Sequence, residues 1–282
     1  MTDILTFDEA TTGVAAGIPY LALPPAGGVA TAPLIVAWHA FGPPRSEAAL
    51  AGSLPMAKVP AWRVYPGLPL FGGRLPEGGH AELERRWDSD YLLELFGPVV
   101  EQAAAELARM VADLRTTLPI GQGPIGLAGA GAGGTAALLA LAESRVPVAA
   151  AGLVNAIIAP APVLPRLQRR PYRWTDEARE IAAWLDFTGR GAELAARTPQ
   201  TAIMIVNGER DDVVRPEHGA ALYDALRRHY GESGRLRHIV VPDLAHPLGP
   251  EPGLEPAPPS PGPVLADKAL TEWFLRHLTH SG

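Results

Sequence analysis

Cysteine is missing from all 282 residues of the chain. Its absence excludes a disulfide framework, a thiolate nucleophile and a cysteine-ligated metal centre. Lysine is almost missing as well, since Lys58 and Lys268 are the only two, whereas arginine and alanine are abundant. This bias indicates a GC-rich bacterial source. Charged residues of all kinds make up 19% of the chain, somewhat less than in an average soluble domain.

Long apolar runs and basic stripes are lacking too. No stretch approaches the roughly 18 consecutive apolar residues of a membrane span. Residues 1–9 are acidic where a secretory signal peptide would be basic. The formal net charge of −6 disfavours nucleic acid as a partner. We therefore expect a cytoplasmic protein with neither a membrane nor a nucleic-acid partner, and the sequence leaves its oligomeric state open.

Apolar segments with the period of a strand or of a helix alternate along the chain. Strands are predicted at 18–23, 33–39, 59–65, 125–128, 147–154, 201–206 and 237–241. Helices are predicted over 90–117, with a break or kink at Gly97-Pro98, and over 132–143, 176–197, 216–230 and 264–280. Loops are predicted at 66–90, 155–175 and 242–263. This alternation predicts one α/β domain over residues 1–282, with a mostly parallel sheet covered by helices on both faces.

A glycine-dense turn follows the predicted strand at 125–128. The run Gly129-Ala130-Gly131-Ala132-Gly133 matches the nucleophile-elbow pattern G-x-S-x-G at every position except the centre. In that pattern the outer glycines permit a sharp strand-to-helix turn, and the central residue presents its side chain at the top of the sheet. Here the central residue is Gly131, which has no side chain.

The same turn allows two other interpretations. Gly129, Gly131 and Gly134 also satisfy G-x-G-x-x-G, the fingerprint of a dinucleotide-binding turn. That fingerprint normally belongs to the first strand of its unit and expects an acidic residue about 20 residues further on. Several strands precede this turn, and the next strand ends in Asn155 rather than in a carboxylate. A purely structural glycine turn is the third interpretation.

Two further loops carry matching chemistry. In a covered parallel sheet, functional groups gather on the loops at the carboxyl ends of the strands. Asp211 and Asp212 follow the strand at 201–206, and His246 follows the strand at 237–241. A buried carboxylate on Nδ1 holds a neutral imidazole in one tautomer and stabilises its charged form. The order of nucleophile position, acid and histidine is that of the α/β-hydrolase triad.

On these residues the chain resembles the α/β-hydrolase fold, in particular the dienelactone-hydrolase-like and prolyl-oligopeptidase-like esterases. The resemblance covers nearly the whole chain and implies about eight strands, with a small cap or lid insertion around 155–197. It implies Asp211 as the acid, because Asp211 occupies the aspartate of a G-x-x-D-x-V-V turn, with Asp212 as the runner-up. It implies His246 as the base and a small-molecule substrate, an ester, with no cofactor and no metal.

The segment from Trp38 to Pro44 resembles the H-G-x-G oxyanion loop of the same family. The resemblance implies that the backbone N–H groups of Phe41 and Ala132 stabilise a developing oxyanion. Ala40 stands where glycine is usual, and alanine would be strained if the loop required a positive φ there. His39 is expected to be a structural hydrogen-bonding residue. The segment 66–74 resembles a pocket-edge loop of such esterases.

Glycine at position 131 excludes an acyl-enzyme, and three hypotheses follow. In the first, the chain is a serine hydrolase scaffold whose nucleophile has been replaced, an inactivated variant; the intact Asp211, His246 and elbow favour it. In the second, it is a natural homologue without covalent chemistry, in which His246 activates water or serves as the acid and base of a lyase, isomerase or cyclase. In the third, it is a non-catalytic ligand-binding module.

Overall fold

The computed structural model describes residues 10–168, 170–231 and 234–279. In this part of the chain, eight strands form one sheet in the order β1-β2-β4-β3-β5-β6-β7-β8. The strands are β1 (Thr11–Ala15), β2 (Ile18–Leu23), β3 (Leu34–Trp38), β4 (Trp62–Pro66), β5 (Ile125–Ala130), β6 (Val148–Val154), β7 (Ala202–Arg210) and β8 (Leu236–Ala245). Strands β3 to β8 are parallel, and β2 pairs antiparallel with β1 and β4. The predicted α/β fold with a mostly parallel sheet of about eight strands is confirmed.

Nine α-helices connect these strands within the described residues. They are α1 (Glu47–Ser53), α2 (Gly79–Asp90), α3 (Gly97–Thr117), α4 (Ala132–Glu143), α5 (Leu164–Leu167), α6 (Asp176–Trp184), α7 (Gly191–Ala195), α8 (Pro216–Tyr230) and α9 (Pro261–His277). A short 3₁₀ turn spans Gly72–Arg74, and a π-helical turn spans Tyr91–Phe96 directly before α3.

The core lies on both faces of the sheet. Strands β5 and β6 are buried at every position, which explains why they are apolar throughout rather than alternating. On one face, α4 is buried for ten consecutive residues from Ala132 to Leu141, as its all-apolar sequence requires. On the other face, α9 contributes the buried Leu270, Trp273 and Phe274.

The prediction of an irregular loop over residues 66–90 is wrong for its second half. Helix α2 begins at Gly79 and ends at Asp90, although none of its residues is buried. Glu82 instead forms ion pairs with Arg85 (2.7 Å) and Arg86 (2.8 Å), one turn further along the helix. Such pairs at i,i+3 and i,i+4 spacing stabilise a helix. Periodicity analysis detects an apolar stripe and does not detect these pairs.

Other boundaries differ from the prediction for local reasons. The break predicted at Gly97-Pro98 is confirmed, because the π-helical turn ends at Phe96 and α3 begins at Gly97. The helix predicted over 176–197 is two helices, α6 and α7. The helix predicted over 264–280 already begins at Pro261, because proline is tolerated in a first turn. Its predicted end at residue 280 lies outside the described residues.

The turn between β5 and α4 lies very close to the end of β3. A Cβ atom placed on Gly133 would lie 2.2 Å from the Trp38 carbonyl oxygen and 2.4 Å from that of His39. Only glycine allows α4 to begin this close to the neighbouring strand. The close approach therefore fixes where the elbow lies relative to the loop after β3.

We expect Gly133→Ala to destabilise the fold by about 3 kcal/mol, because its methyl group would overlap backbone carbonyls that cannot rotate away. The free energy of unfolding in urea measures this effect. Gly123→Ala is the matched control, since nothing lies within 4 Å of a Cβ at that position. Equal stabilities of the two variants would contradict the prediction.

Candidate active site

The loops at the carboxyl ends of four parallel strands carry the residues that the sequence analysis singles out. Strand β3 leads to Phe41, β5 to Gly131 and Ala132, β7 to Asp211, and β8 to His246. Because the carboxyl ends of parallel strands lie at one edge of a sheet, all five residues belong to that edge.

Gly131 forms the turn between β5 and α4, with φ +51° and ψ −119°. Its N–H donates to the Val154 carbonyl over 3.1 Å, and its own carbonyl accepts from the N–H groups of Gly134 (3.1 Å), Thr135 (3.3 Å) and Ile157 (3.3 Å). These bonds hold a left-handed backbone that glycine adopts freely and that strains other residues. The Thr135 hydroxyl is buried and donates to the Ile157 carbonyl (2.8 Å), so it does not replace the missing nucleophile.

Ala40 borders the position that a side chain on Gly131 would occupy. A Cβ atom placed on Gly131 would lie 3.0 Å from the Ala40 Cβ, closer than ordinary van der Waals contact. A side chain at position 131 therefore fits only if Ala40 moves by a few tenths of an ångström. The backbone of Ala40 lies outside the positive-φ region, so alanine is not strained at this position of the loop.

The imidazole of His246 is hydrogen bonded to Asp211. The distance from Nδ1 to the Asp211 Oδ2 is 2.9 Å. The other carboxylate oxygen, Oδ1, accepts from the N–H groups of Val213 (2.8 Å) and Val214 (2.7 Å). The Asp211 side chain is fully buried and that of His246 is 20% exposed, whereas Asp212 is exposed. With Nδ1 as the donor, Nε2 is left as a proton acceptor.

Two backbone N–H groups, in the loops after β3 and β5, are the candidates for binding an oxyanion. Among the residues that the structure describes, neither the N–H of Phe41 nor that of Ala132 donates a hydrogen bond. Ala132 is the first residue of α4, and the first N–H groups of a helix have no intrahelical acceptor. Such groups, together with the helix dipole, can stabilise a developing negative charge.

His39 joins two loops rather than presenting a reactive group. Its Nδ1–H donates to the Ala40 carbonyl (2.7 Å), and its Nε2 accepts from the Leu68 N–H (3.3 Å). Burial lowers the pKa of His39 to about 4, against a weaker opposing effect of the Ala40 hydrogen bond. The ring is therefore neutral at ordinary pH, as its acceptor role at Nε2 requires.

The segment 66–74 packs on the loop after β3. The ring of Phe71 stacks on that of Phe41, with centroids 4.7 Å apart. Arg74 then anchors the segment to α3 through a bidentate ion pair with Glu106, at 2.7 and 2.9 Å. Both side chains of this pair are mostly buried. The segment thereby supports the ring of Phe41.

Asn155 is a site residue that the sequence analysis does not assign. Its buried side chain contacts the carboxyl ends of the strands that lead to Asp211 and His246: Oδ1 accepts from the Gly208 N–H of β7, and Nδ2 donates to the Ala245 carbonyl of β8, both over 2.7 Å. The available signal was a lone amide directly after seven apolar residues of a buried strand. That signal gives no information about which loops the amide reaches.

The described part of the chain contains no group of three or more histidine, aspartate or glutamate side chains that could hold a metal ion. None of the helices in residues 10–168, 170–231 and 234–279 is long and apolar enough to cross a bilayer.

Solved structures with the same architecture cover almost the whole chain. TT1662 from Thermus thermophilus is 23% identical over 96% of this chain and 98% of its own, with a TM-score of 0.69. Est1E from Butyrivibrio proteoclasticus is 14% identical over 96% and 99% of the two chains, with a TM-score of 0.59. The acylaminoacyl peptidase of Pyrococcus horikoshii is 16% identical over 97% of this chain, which spans only 42% of the peptidase, with a TM-score of 0.62.

These likenesses assign the α/β-hydrolase fold to the chain. No protein-family model and no curated protein matches the sequence. In this fold, a strand–turn–helix with the G-x-S-x-G pattern is the nucleophile elbow.

We expect His39 to make the fold less stable as the pH falls. Its pKa is lowered from 6.5 to about 4 in the folded chain, so the unfolded chain binds more protons between these values. The stabilisation is fully present above pH 6.5 and falls by about 2 kcal/mol on going to pH 4.5. Urea unfolding of the wild type and of His39→Gln at several pH values measures this effect. The prediction is wrong if the stability difference between the two proteins does not change with pH.

Proposed function

We propose that this chain is an esterase-like hydrolase of small carboxylic esters that works without a covalent nucleophile. In this proposal His246 activates a water molecule, and the elbow residue Gly131 leaves the attacking position to that water. The observation that carries the proposal is the hydrogen bond of 2.9 Å between His246 and the buried, doubly anchored Asp211. A chain that only bound ligands would not need a proton-transfer pair oriented in this way.

The proposed reaction uses the groups that the loops present. His246 Nε2 takes a proton from water, and the oxygen of that water forms a bond to the ester carbonyl carbon. The N–H groups of Phe41 and Ala132 stabilise the resulting oxyanion. Asp211 stabilises the imidazolium, which then gives its proton to the leaving alkoxide as the ester C–O bond breaks. The products are the carboxylic acid and the alcohol.

The contact between residues 40 and 131 supports a natural non-covalent enzyme over a serine hydrolase changed at one position. A serine hydrolase would have a loop after β3 that leaves room for the Cβ of its nucleophile. Here the Ala40 Cβ lies 3.0 Å from that position. Alanine at 40 and glycine at 131 fit one another, which favours a site in which both residues belong together.

A replaced serine nucleophile is the second candidate, and the backbone of Gly131 favours it. The φ and ψ angles of +51° and −119° are those at which a residue with a side chain would be strained, as the nucleophile of an elbow is. A serine replaced by glycine would leave a turn of this shape behind. The two candidates differ in what a serine at position 131 would do.

The first test is the hydrolysis of p-nitrophenyl acetate and related short aryl esters. We expect the unaltered chain to exceed the buffer rate, and His246→Ala to lose about 10²-fold or more, because general-base catalysis contributes at least that much. Asp211→Asn should also be slow, because the wrong imidazole tautomer is favoured. Equal rates for the unaltered chain and His246→Ala would refute the proposal.

The second test separates the two candidates through Gly131→Ser, alone and combined with Ala40→Gly. If the site works through water, Gly131→Ser alone should not exceed the rate of the unaltered chain, because its side chain meets Ala40 and displaces the water. The double variant relieves the contact and should be labelled by a fluorophosphonate at residue 131. A gain of several orders of magnitude from Gly131→Ser alone would instead identify a serine hydrolase that has lost its nucleophile. Gly131→Ala controls for the added Cβ atom.

A further inference from the structure

We infer that Asn155 is a positioning residue that keeps Asp211 and His246 at hydrogen-bonding distance. This inference deepens the function proposed above and rests on it. Asn155 follows β6, the strand between the elbow strand β5 and the acid strand β7. Its side chain is buried, and its backbone has a left-handed φ of +46°, a conformation in which asparagine is enriched among residues other than glycine.

The Asn155 side chain uses its acceptor and its donor on two different strands, β7 and β8. Oδ1 accepts from the Gly208 N–H over 2.7 Å. Nδ2 donates to the carbonyls of Ala245 (2.7 Å) and His246 (3.4 Å). One amide therefore connects the strand that leads to the acid with the residue that carries the base.

The connection to the acid continues through a single residue, Gly208. The Gly208 N–H is bound by Asn155, and the Gly208 carbonyl accepts from the Asp211 N–H over 3.2 Å. Through Gly208, Asn155 thus holds the backbone N–H of Asp211 at the start of its turn. Val213 and Val214 fix the carboxylate from the other side through their N–H groups.

Strand pairing alone does not hold the acid and the base together at this point. The register between β7 and β8 jumps from Gly208–Val241 to Arg210–Ala245, so three residues of β8 lie opposite one residue of β7. Asp243, inside this bulge, has a φ of +59°. Bulges interrupt the ladder of backbone hydrogen bonds. The Asn155 amide bridges the two strands directly at this interruption.

Ile157, two residues after Asn155, is hydrogen bonded to the elbow and to the first turn of α4. The Ile157 N–H donates to the Gly131 carbonyl (3.3 Å), and the Ile157 carbonyl accepts from the Thr135 hydroxyl (2.8 Å). Residues 155–157 thus contact the acid loop, the histidine loop and the elbow. Because Asn155 lies in the middle of this arrangement, its loss should disturb the pair without removing a reacting group.

The test is nitrogen-15 NMR of the full chain, which reports the His246 tautomer and the Nδ1–H bond to Asp211 whether or not esters are turned over. We expect Asn155→Ala to lose the protected Nδ1–H signal of His246 and to show mixed tautomers. Asn155→Asp keeps the acceptor for Gly208 and loses the donor to Ala245, so its His246 signals should lie between those of the unaltered chain and of Asn155→Ala. It replaces Asn155→Ala in the test if that variant does not fold.

Thr201→Val is the matched control, because it removes one buried hydrogen bond (Thr201 Oγ1 to the Val148 carbonyl, 2.8 Å) at the opposite end of the same strands. It should lower the melting temperature while leaving the His246 signals unchanged.

Where esters are hydrolysed, Asn155→Ala should lower kcat up to about 10²-fold with little change in KM, as misplaced catalytic groups do. Folded Asn155 variants with unchanged His246 signals would overturn the inference. Altered signals without any ester hydrolysis in the unaltered chain would refute only the proposed function.

Discussion

The close approach of α4 to the end of β3 is the constraint on which the rest of the site depends. Glycine at 133 lets the first turn of α4 contact the carbonyls of Trp38 and His39. That contact places the N–H of Ala132 beside the loop that carries Phe41, and it places Gly131 against Ala40. If the helix began further away, the two candidate oxyanion donors would not border the same turn, and the elbow would have no defined relation to the loop after β3.

In the proposed function, the site has the groups that transfer protons and stabilise charge, and it has no residue at position 131 that forms a covalent bond. A buried carboxylate with two backbone donors costs little to maintain once it is fully hydrogen bonded. A nucleophile at an elbow is more costly, because its side chain occupies a strained backbone. Glycine at 131 removes this strain while the Asp211–His246 pair persists.

Local sequence signals gave different amounts of information about different elements. Helices α4 and α8 and strand β2 follow their predicted boundaries, because α4 and β2 are continuous apolar runs and Pro216 marks the first turn of α8. Helix α2 is not predicted, because its apolar stripe is short, with only Leu83 and Trp87 packed partly against the core, and turn residues precede it. In the sequence, Asn155 argues only against a dinucleotide-binding turn, because it is not acidic. Its hydrogen-bond partners are more than 50 residues away in the sequence, and no local pattern specifies them.

By itself, the sequence determined the alternation of strands and helices, the glycine turn, and the order in which Gly131, Asp211 and His246 occur. These follow from periodicity and residue type, which are local properties of the chain. Only the tertiary structure decided that Asp211 rather than Asp212 contacts the imidazole, that Ala40 borders the position of the missing side chain, and that one amide joins the acid and base loops. Those facts depend on distances between segments far apart in sequence, and such distances are set by how the strands pack side by side.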